Sequence, residues 1–254
     1  MKNFLRGRVI VLLGVGVLLG LWWLASWLVG EAILLPSPLE VFKDVVRLLG
    51  KQETYAHVFS SLRRIGQGLI VSAGLGFVLG VLSGKREWVF ALLQPWLVVF
   101  QSLPAIVWIL VALIWLPREV IPFWLVFLTT FPLWVLQIRQ ATLHGDERLL
   151  EMTEVFSVKG WRKWYAVYFP SFVLHSLVGL RSTLTLSLKV VVMAEVLAFP
   201  SFGMGTQLFW AKTYVNVEDL FAWALVLFGL GWMLDSVLGL GETLVEKILG
   251  MGKV

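Results

Sequence analysis

The sequence contains no cysteine and little charge. Of its 254 residues, 15% are Asp, Glu, Lys or Arg and 59% are hydrophobic, and the mean hydropathy is +0.86. An average soluble domain has about 25% charged residues. A soluble fold with so few charges could not cover its surface with polar groups, whereas surface that faces lipid can stay apolar. The composition therefore predicts an integral membrane protein.

Other absences exclude several kinds of site. Without cysteine there are no disulfides, thiolate nucleophiles or Cys-based metal sites. The three histidines, His57, His144 and His175, are scattered without metal-ligand spacing, so we expect no metal site and no Ser/His/Asp catalytic group. The formal charge of +5 includes no basic run longer than two residues. We therefore expect the basic residues to set membrane topology rather than to bind nucleic acid.

Long apolar runs are abundant, and six of them predict an all-α protein with six membrane spans. Each run can cross a hydrocarbon core of ~30 Å. The spans fall within residues 9–29, 65–84, 88–116, 120–138, 169–199 and 220–241. Pro95 and Pro104 lie in the third span and predict kinks or breaks there. Between the first two spans, residues 39–51 have a helical apolar period, with Leu39, Phe42, Val45, Val46 and Leu49 on the stripe, and are predicted to lie along the membrane surface.

The positions of the basic residues predict the orientation. With a cytoplasmic N-terminus, twelve basic residues lie inside, within 1–8, 85–86, 139–163 and 247–253, and five lie outside, within 43–51, 118 and 212. The positive-inside rule therefore places both termini in the cytoplasm. We divide the chain into residues 1–56, the first span with its external amphipathic segment, and residues 57–254, a five-span core with a long cytoplasmic loop at 139–168.

Glycines recur at every fourth residue in the second span, at Gly76, Gly80 and Gly84. Apolar attraction between helices is lost in lipid, so close backbone approach through small residues is a main route to association. The spacing predicts that this glycine face packs inside the bundle. The general enrichment of glycine in membrane helices is the alternative.

The long cytoplasmic loop contains an amphipathic segment at 146–156. Leu149, Leu150, Thr153 and Phe156 fall on one side of a helix, and acidic residues fill the other side. A charged helix with an apolar stripe suits docking into a groove on a soluble partner. A helix that rests on the lipid interface is the alternative.

At this loop the sequence resembles the permease subunits of bacterial ABC importers, in the nitrate, sulfonate, taurine and thiamine-precursor branch. The family signature combines Glu-Ala-Ala, a following glycine and Leu-Pro. This chain has Glu151-Met152-Thr153, Ser157 at the glycine position and Phe169-Pro170, with the same spacing. Further motifs follow in the family's order, covering nearly the whole chain after Leu35: Leu35-Pro36-Ser37-Pro38, Ser61 to Gly68 through Arg64, Leu103-Pro104 with Trp108, Gly179-Leu180-Arg181, Ala194-Glu195 and Gly203-Met204-Gly205.

The resemblance implies a type I ABC importer permease fold in the inner membrane, forming the pathway of a small solute. It implies three protein partners: a cytoplasmic ATPase dimer, an extracytoplasmic solute-binding protein and a second permease copy. It implies a solute that is a small organic anion or heterocycle, such as a sulfonate, taurine, nitrate or a thiamine or pyrimidine precursor. The expected ATPase-coupling residues are Asp146, Arg148, Leu149, Leu150, Glu151, Met152, Thr153, Phe156, Ser157, Gly160 and Pro170.

The chain itself is not expected to be an enzyme. No Gly-x-x-x-x-Gly-Lys-Ser/Thr stretch occurs in it, so ATP and Mg²⁺ are expected on the partner ATPase alone. An ion-coupled secondary transporter is an alternative, which would show inverted repeats around intramembrane acids. A polytopic membrane enzyme is a third class, which would need clustered catalytic residues at one membrane face.

Ionisable residues within the fifth span are candidates for the solute pathway. Arg181, Lys189 and Glu195 lie along it, and such groups usually face a bundle interior or a wet cavity. Lys189 is nearest the middle of the membrane, where it would attract an anionic or polar solute. Alternatively, Lys189 pairs with Glu195 or another carboxylate across a helix contact. The candidate pathway residues are Pro104, Trp108, Arg181, Lys189 and Glu195.

Overall fold

The computed structural model describes residues 2–143 and 169–248, and all regular secondary structure in these two ranges is helical. The helices are α1 (Lys2–Val29), α2 (Pro38–Leu49), α3 (Gln52–Lys85), α4 (Glu87–Ser102), α5 (Ala105–Trp115), α6 (Ile121–Leu143), α7 (Phe169–Ala198), α8 (Met204–Thr213) and α9 (Val217–Ile248).

Several of these helices can cross a membrane. Four described helices are long and apolar enough: α3, α6, and most of α7 and α9. The pair α4 and α5 makes a fifth crossing if the two are taken together, and the apolar part of α1, Leu13–Val29, is shorter. The all-helical, multi-pass membrane class is therefore confirmed. The count of six spans and the cytoplasmic position of the termini stay predictions.

The third predicted span is broken, at one of the two prolines that predicted a kink. α4 ends at Ser102, Leu103 and Pro104 have extended backbones, and α5 starts at Ala105. The two helices are bent by 98°. Proline disfavours the α conformation at the residue before it and cannot donate a helical hydrogen bond, so the helix stops there. Pro95, in contrast, lies inside α4 without ending it.

α3 packs against α6 along a glycine seam. A Cβ atom added at Gly76 would lie 2.4 Å from the Cβ of Trp134, and one at Gly80 would lie 2.6 Å from the Cβ of Ile138. The seam continues at both ends, where Gly68 meets Val126 and Gly84 meets Thr142. Between them, the hydroxyls of Ser72 and Thr130 form a buried hydrogen bond of 2.7 Å. The two backbones can approach this closely because α3 has only glycines and the small Ser72 along the seam.

α2 has two apolar faces, which divide the stripe predicted from the sequence. The helix starts with a capping box between Ser37 and Glu40. Val41 and Leu48 are buried, and Val45 is partly buried, in a core shared with α8 and α9. Most of the predicted stripe lies on the opposite face and is exposed: Leu39, Phe42, Val46 and Leu49.

α7 is the central helix of the described bundle. It lies against α3, α5, α6, α8 and α9. Its C-terminal half contributes Val191 and Ala194 to the main hydrophobic core, together with Ile65 of α3, Ile109 of α5 and Leu125 of α6. Side chains on α7 are therefore held by neighbours on several sides, and the position of α7 determines which side chains of the other helices they contact.

We predict that Gly76→Ala destabilises the protein, whereas Gly74→Ala on the same helix does not. The added methyl at Gly76 would overlap Trp134, whereas a Cβ at Gly74 has no atom within 4 Å. Overpacking of this kind costs about 1–3 kcal/mol, and Ala in an exposed helix position is favoured over Gly by about 0.5–1 kcal/mol. Thermal unfolding of both variants in detergent measures the difference. Equal unfolding temperatures would contradict the packing role of the seam.

Candidate functional site

A polar cluster joins helices at one end of the bundle. It consists of His57, Ser61 and Arg64 from α3, Glu119 from the α5–α6 connection, Glu195 near the end of α7, and the backbone of residues 201–205. The predicted orientation places this end outside the cell, so we call it the outer cluster.

The centre of the outer cluster is the carboxylate of Glu195, which is 0% exposed. Ser61 Oγ lies 2.8 Å from both of its oxygens and donates to them. Arg64 Nη1 donates to Oε1 at 2.8 Å, and the backbone N–H of Gly205 donates to Oε2 at 3.0 Å. A buried charge is stable only when it is paired and hydrogen-bonded, and Glu195 meets both conditions.

Arg64 connects three segments of the chain and is only 3% exposed. Besides Glu195, its guanidinium donates to Glu119 at 2.7 Å and to the carbonyl of Phe202. Glu119 also accepts a hydrogen bond of 2.6 Å from the backbone N–H of Ser201. Partial burial acts to raise the pKa of Glu119, but the hydrogen bonds from Ser201 and the charge of Arg64 hold it below its usual value.

The same cluster caps α8 with side chains from other helices. The helix begins after Gly203, which has no side chain to cap it. The N–H of Gly203 donates to His57 Nδ1 at 3.1 Å, that of Met204 to Ser61 Oγ at 3.0 Å, and that of Gly205 to Glu195 at 3.0 Å. The first N–H groups of a helix lack intrahelical acceptors, and a carboxylate there is favoured by the helix dipole. The start of α8 is therefore stabilised by tertiary contacts.

Two glycines allow this approach. A Cβ atom at Gly203 would lie 2.5 Å from Glu195 Cδ, and one at Gly205 would lie 2.3 Å from the carbonyl oxygen of Val192. Neither position has room for a side chain. The glycines bring the backbone N–H groups within hydrogen-bonding distance of Glu195 and its neighbours.

Sequence reasoning found Glu195 but missed its partners. Ser61 and Arg64 lie in one of the motifs that carry the family resemblance, and Gly203 to Gly205 lie in another, more than 130 residues further along the chain. The structure brings both motifs to Glu195. Their occurrence in motifs of the same family was a signal that these residues act together. Nothing in the sequence pointed to Glu119, and His57 was noted only as one of three scattered histidines.

The exposed face of α7 carries polar side chains through the predicted membrane depth. Ser182, Thr185 and Lys189 are exposed at positions that follow one face of a helix. Both hydroxyls donate to backbone carbonyls of their own helix. Lys189 borders a groove of about 300 Å³ between α7 and α9, which is also lined by Phe228, Trp232 and Asp235. We call Ser182, Thr185 and Lys189 the polar face of α7.

Lys189 makes no ion pair within the described residues. The carboxylate of Glu195, one of the partners considered for it, is bound by Arg64 instead. The carboxylate of Asp235 is likewise engaged by Arg181. Within the described residues, Lys189 is therefore not paired with a carboxylate.

Arg181 links α7 to α9 closer to the predicted cytoplasmic side. Its Nε and Nη2 atoms donate to the two oxygens of Asp235 at 2.7 and 2.9 Å, and Nη1 donates to Glu242 at 2.8 Å. Gly239 lies beneath the guanidinium, where an added Cβ would be 3.6 Å away. The bidentate geometry fixes the arginine between the two carboxylates.

The remaining pathway candidates lie in other surroundings. Pro104 is exposed at the break between α4 and α5. Trp108 is partly buried against the main core, with its ring near Phe100 and Trp124. The five candidates thus occupy a helix break, a core, an ion pair, an exposed polar face and a buried cluster.

Of the coupling-loop candidates, the structure describes only Pro170. Those from Asp146 to Gly160 lie outside the described residues, and Pro170 lies in the first turn of α7.

The sequence is similar to one protein family and to several permease proteins of known name. The model of the family described as "Binding-protein-dependent transport system inner membrane component" matches residues 76–245. A probable ABC transporter permease protein of Brucella melitensis is 28% identical over 239 residues, 94% of this chain and 96% of the relative. The putative aliphatic sulfonates transport permease protein SsuC of Bacillus subtilis is 26% identical, covering 91% and 84%. The nitrate import permease protein NrtB of Synechocystis is 25% identical, covering 91% and 86%.

We predict that Glu195→Gln lowers the free energy of unfolding by about 3 kcal/mol, because the buried guanidinium of Arg64 then keeps only the half-exposed carboxylate of Glu119 as a charged partner. The matched control is Glu87→Gln, since Glu87 also pairs with an arginine, Arg139, but has a side chain that is 76% exposed. Exposed pairs contribute less than about 1 kcal/mol. Thermal unfolding in detergent compares the two. A loss for Glu195→Gln no greater than for Glu87→Gln would show that the outer cluster does not stabilise the fold.

Proposed function

The chain belongs to the family of binding-protein-dependent transport system inner membrane components, and we propose that this ABC-importer permease subunit conducts its solute along the polar face of α7. The family assignment decides against the secondary transporter and the membrane enzyme that the sequence left open.

The observation that supports this pathway is the exposed ammonium group of Lys189. An ionisable group at membrane depth is costly unless it faces water, protein or an opposite charge. The exposed residues of α3 at a similar depth are apolar, among them Ile70, Leu75 and Val78. The surfaces of α3 and α7 therefore differ as a lipid-facing and a water-facing helix would. The polar face of α7 is the part of the described surface that suits a hydrated path.

We assign a small anion as the solute, because Lys189 offers a positive charge that no described carboxylate neutralises. The names of two relatives, which refer to aliphatic sulfonates and to nitrate, agree with an anionic solute. A small heterocycle is the second candidate, because the rings of Phe228 and Trp232 line the groove beside Lys189 and can stack on a planar ligand.

The family implies an ATPase and a binding protein as partners in general, and we propose where each of them and a second permease copy would contact the chain. A second copy of the chain opposite the polar face of α7 would enclose the path and shield Lys189 from lipid. A pair of cytoplasmic ATPases, binding ATP and Mg²⁺, would contact the segment around Glu151 and Phe156. An extracytoplasmic binding protein would deliver the solute at the outer cluster. In this arrangement both termini are cytoplasmic.

Phe156→Ala tests the coupling segment. We expect it to abolish co-purification with the ATPase and to reduce ATP-dependent uptake into proteoliposomes at least tenfold, because it removes the largest side chain of the predicted docking stripe. Glu151→Ala should act in the same direction. Phe59→Ala is the matched control, since Phe59 is an exposed phenylalanine near the predicted outer end of α3. The proposal fails if the Phe156 and Glu151 variants bind the ATPase and transport normally.

Lys189→Met tests the pathway. We expect uptake of nitrate, taurine or an alkanesulfonate, whichever the wild-type complex imports, to fall at least tenfold while the unfolding temperature is unchanged. Lys189→Arg keeps the charge and should retain most of the uptake. Lys51→Met makes the same exchange at an exposed position before α3. Normal uptake with lowered thermal stability would give Lys189 a structural role instead.

A further inference from the structure

The connection between α7 and α9, residues 199–216, is strained at both ends. Phe199 has φ 56° and Val215 has φ 55°, and they are the non-glycine residues with positive φ in the described chain. The left-handed region is unfavourable for residues with a Cβ, above all for a β-branched residue such as Val215. Phe199 directly follows α7, and Val215 lies between α8 and α9, so the strained residues delimit α8.

Strained backbones persist only where the surroundings over-determine them. At the two ends, local backbone bonds contribute: the N–H of Phe199 donates to the carbonyl of Glu195 at 3.0 Å, and that of Asn216 donates to the carbonyl of Ala211 at 2.9 Å. Between the two ends, hydrogen bonds to other helices hold the segment. The outer cluster holds the segment through the backbone N–H groups of residues 201, 203, 204 and 205 and the carbonyl of Phe202. A further contact joins Gln207 to His57, with their side-chain nitrogens 2.8 Å apart. The partners of residues 201–207 on α3 and α7 are side chains, so this part of the segment can separate from α3 without breaking backbone hydrogen bonds inside a helix.

The position of the segment relates it to transport. Glu195, which binds the start of α8, lies six residues beyond Lys189 on the same helix, a rise of about 9 Å. The segment therefore lies at the outer end of the helix whose polar face carries the proposed path. A solute that enters from this side must pass close to it.

We propose that residues 199–216 form a clasp, which is fastened to α3 while the outer end is closed and detaches when the outer end opens to the binding protein. This proposal rests on the proposed function. The side-chain caps of the outer cluster favour the fastened state, and the left-handed residues Phe199 and Val215 favour release. The two contributions oppose each other within one short segment, which makes it a two-state element.

The test is a reversible cross-link between the clasp and α3. The chain has no native cysteine, so only introduced thiols react. His57→Cys with Gln207→Cys places thiols on the facing side chains, which a short bifunctional methanethiosulfonate can bridge. Glu87→Cys with Arg139→Cys is the control, because these side chains pair at 3.0 Å between α4 and α6, away from the clasp, and the side chain of Glu87 is exposed to the reagent.

Uptake is measured with the full permease–ATPase complex and its binding protein in proteoliposomes. Nitrate, taurine and an alkanesulfonate are the probes. We expect bridging of the clasp pair to reduce uptake at least tenfold and reduction of the bridge to restore it, while the bridged control pair keeps its uptake. Undiminished uptake with the clasp pair fully bridged would overturn the proposal.

A single substitution gives an independent measurement. Val215 is 65% exposed, so Val215→Gly removes little packing while it relieves the left-handed strain. We expect a higher unfolding temperature together with at least threefold slower uptake, because the fastened state gains stability. A raised unfolding temperature with unchanged uptake would show that the segment is strained but static.

Failure of the clasp and failure of the proposed function are distinguishable. A wild-type complex that binds no ATPase, or that imports none of the three probes in an ATP-dependent way, counts against the proposed function. A wild-type complex that imports a probe, together with bridged clasp variants that import it equally well, counts against the clasp alone.

Discussion

A charge or an unpaired N–H group that is removed from water must find a partner inside the protein, and much of this structure depends on that requirement. Glu195 is fully buried, and its two oxygens are surrounded by a hydroxyl, a guanidinium and a backbone N–H. Arg181 is held between two carboxylates of α9. In both places the partner belongs to another helix, so the requirement of pairing also decides which helices lie side by side. The one mid-span ammonium group that no described carboxylate pairs with, that of Lys189, then becomes informative.

α7 connects the regions of interest. Its first turn contains Pro170, the last residue of the expected coupling set, and its last turn contains Glu195, the centre of the outer cluster. Between them, Arg181 attaches the helix to α9, and Lys189 lies on the exposed surface of the bundle. A rigid helix of 30 residues extends about 45 Å. A displacement at its predicted cytoplasmic end would therefore reach the capping contacts of α8 through the helix itself.

The sequence predicted features that depend on neighbouring residues. The residue before a proline and the missing N–H act locally, so the break at Pro104 could be expected. The four-residue period of Gly76, Gly80 and Gly84 follows from helix geometry alone. The membrane class follows from composition, and the family resemblance came from motifs in a fixed order.

Features that depend on distant pairs could not be predicted in this way. Arg64 and Glu195 are 131 positions apart, and no periodicity relates them. The helical start of α8 has no capping residue of its own, since its acceptors are His57, Ser61 and Glu195 on other helices. A local rule for helix starts therefore finds no signal there. The left-handed backbones of Phe199 and Val215 are equally invisible, because neither residue type favours that conformation.

The length of α3 has a consequence for the surrounding lipid. Its 34 residues span about 51 Å, whereas a typical hydrocarbon core is about 30 Å thick. Counted from Lys85 at the opposite end, Arg64 lies about 32 Å along the helix, at the boundary between acyl chains and headgroups when the helix is upright. Longer acyl chains would move this boundary past Arg64 and lower the dielectric constant around its ion pairs, which strengthens them. Bilayer thickness would thus act on the predicted outer end of this protein as a physical variable, separate from nucleotide and solute.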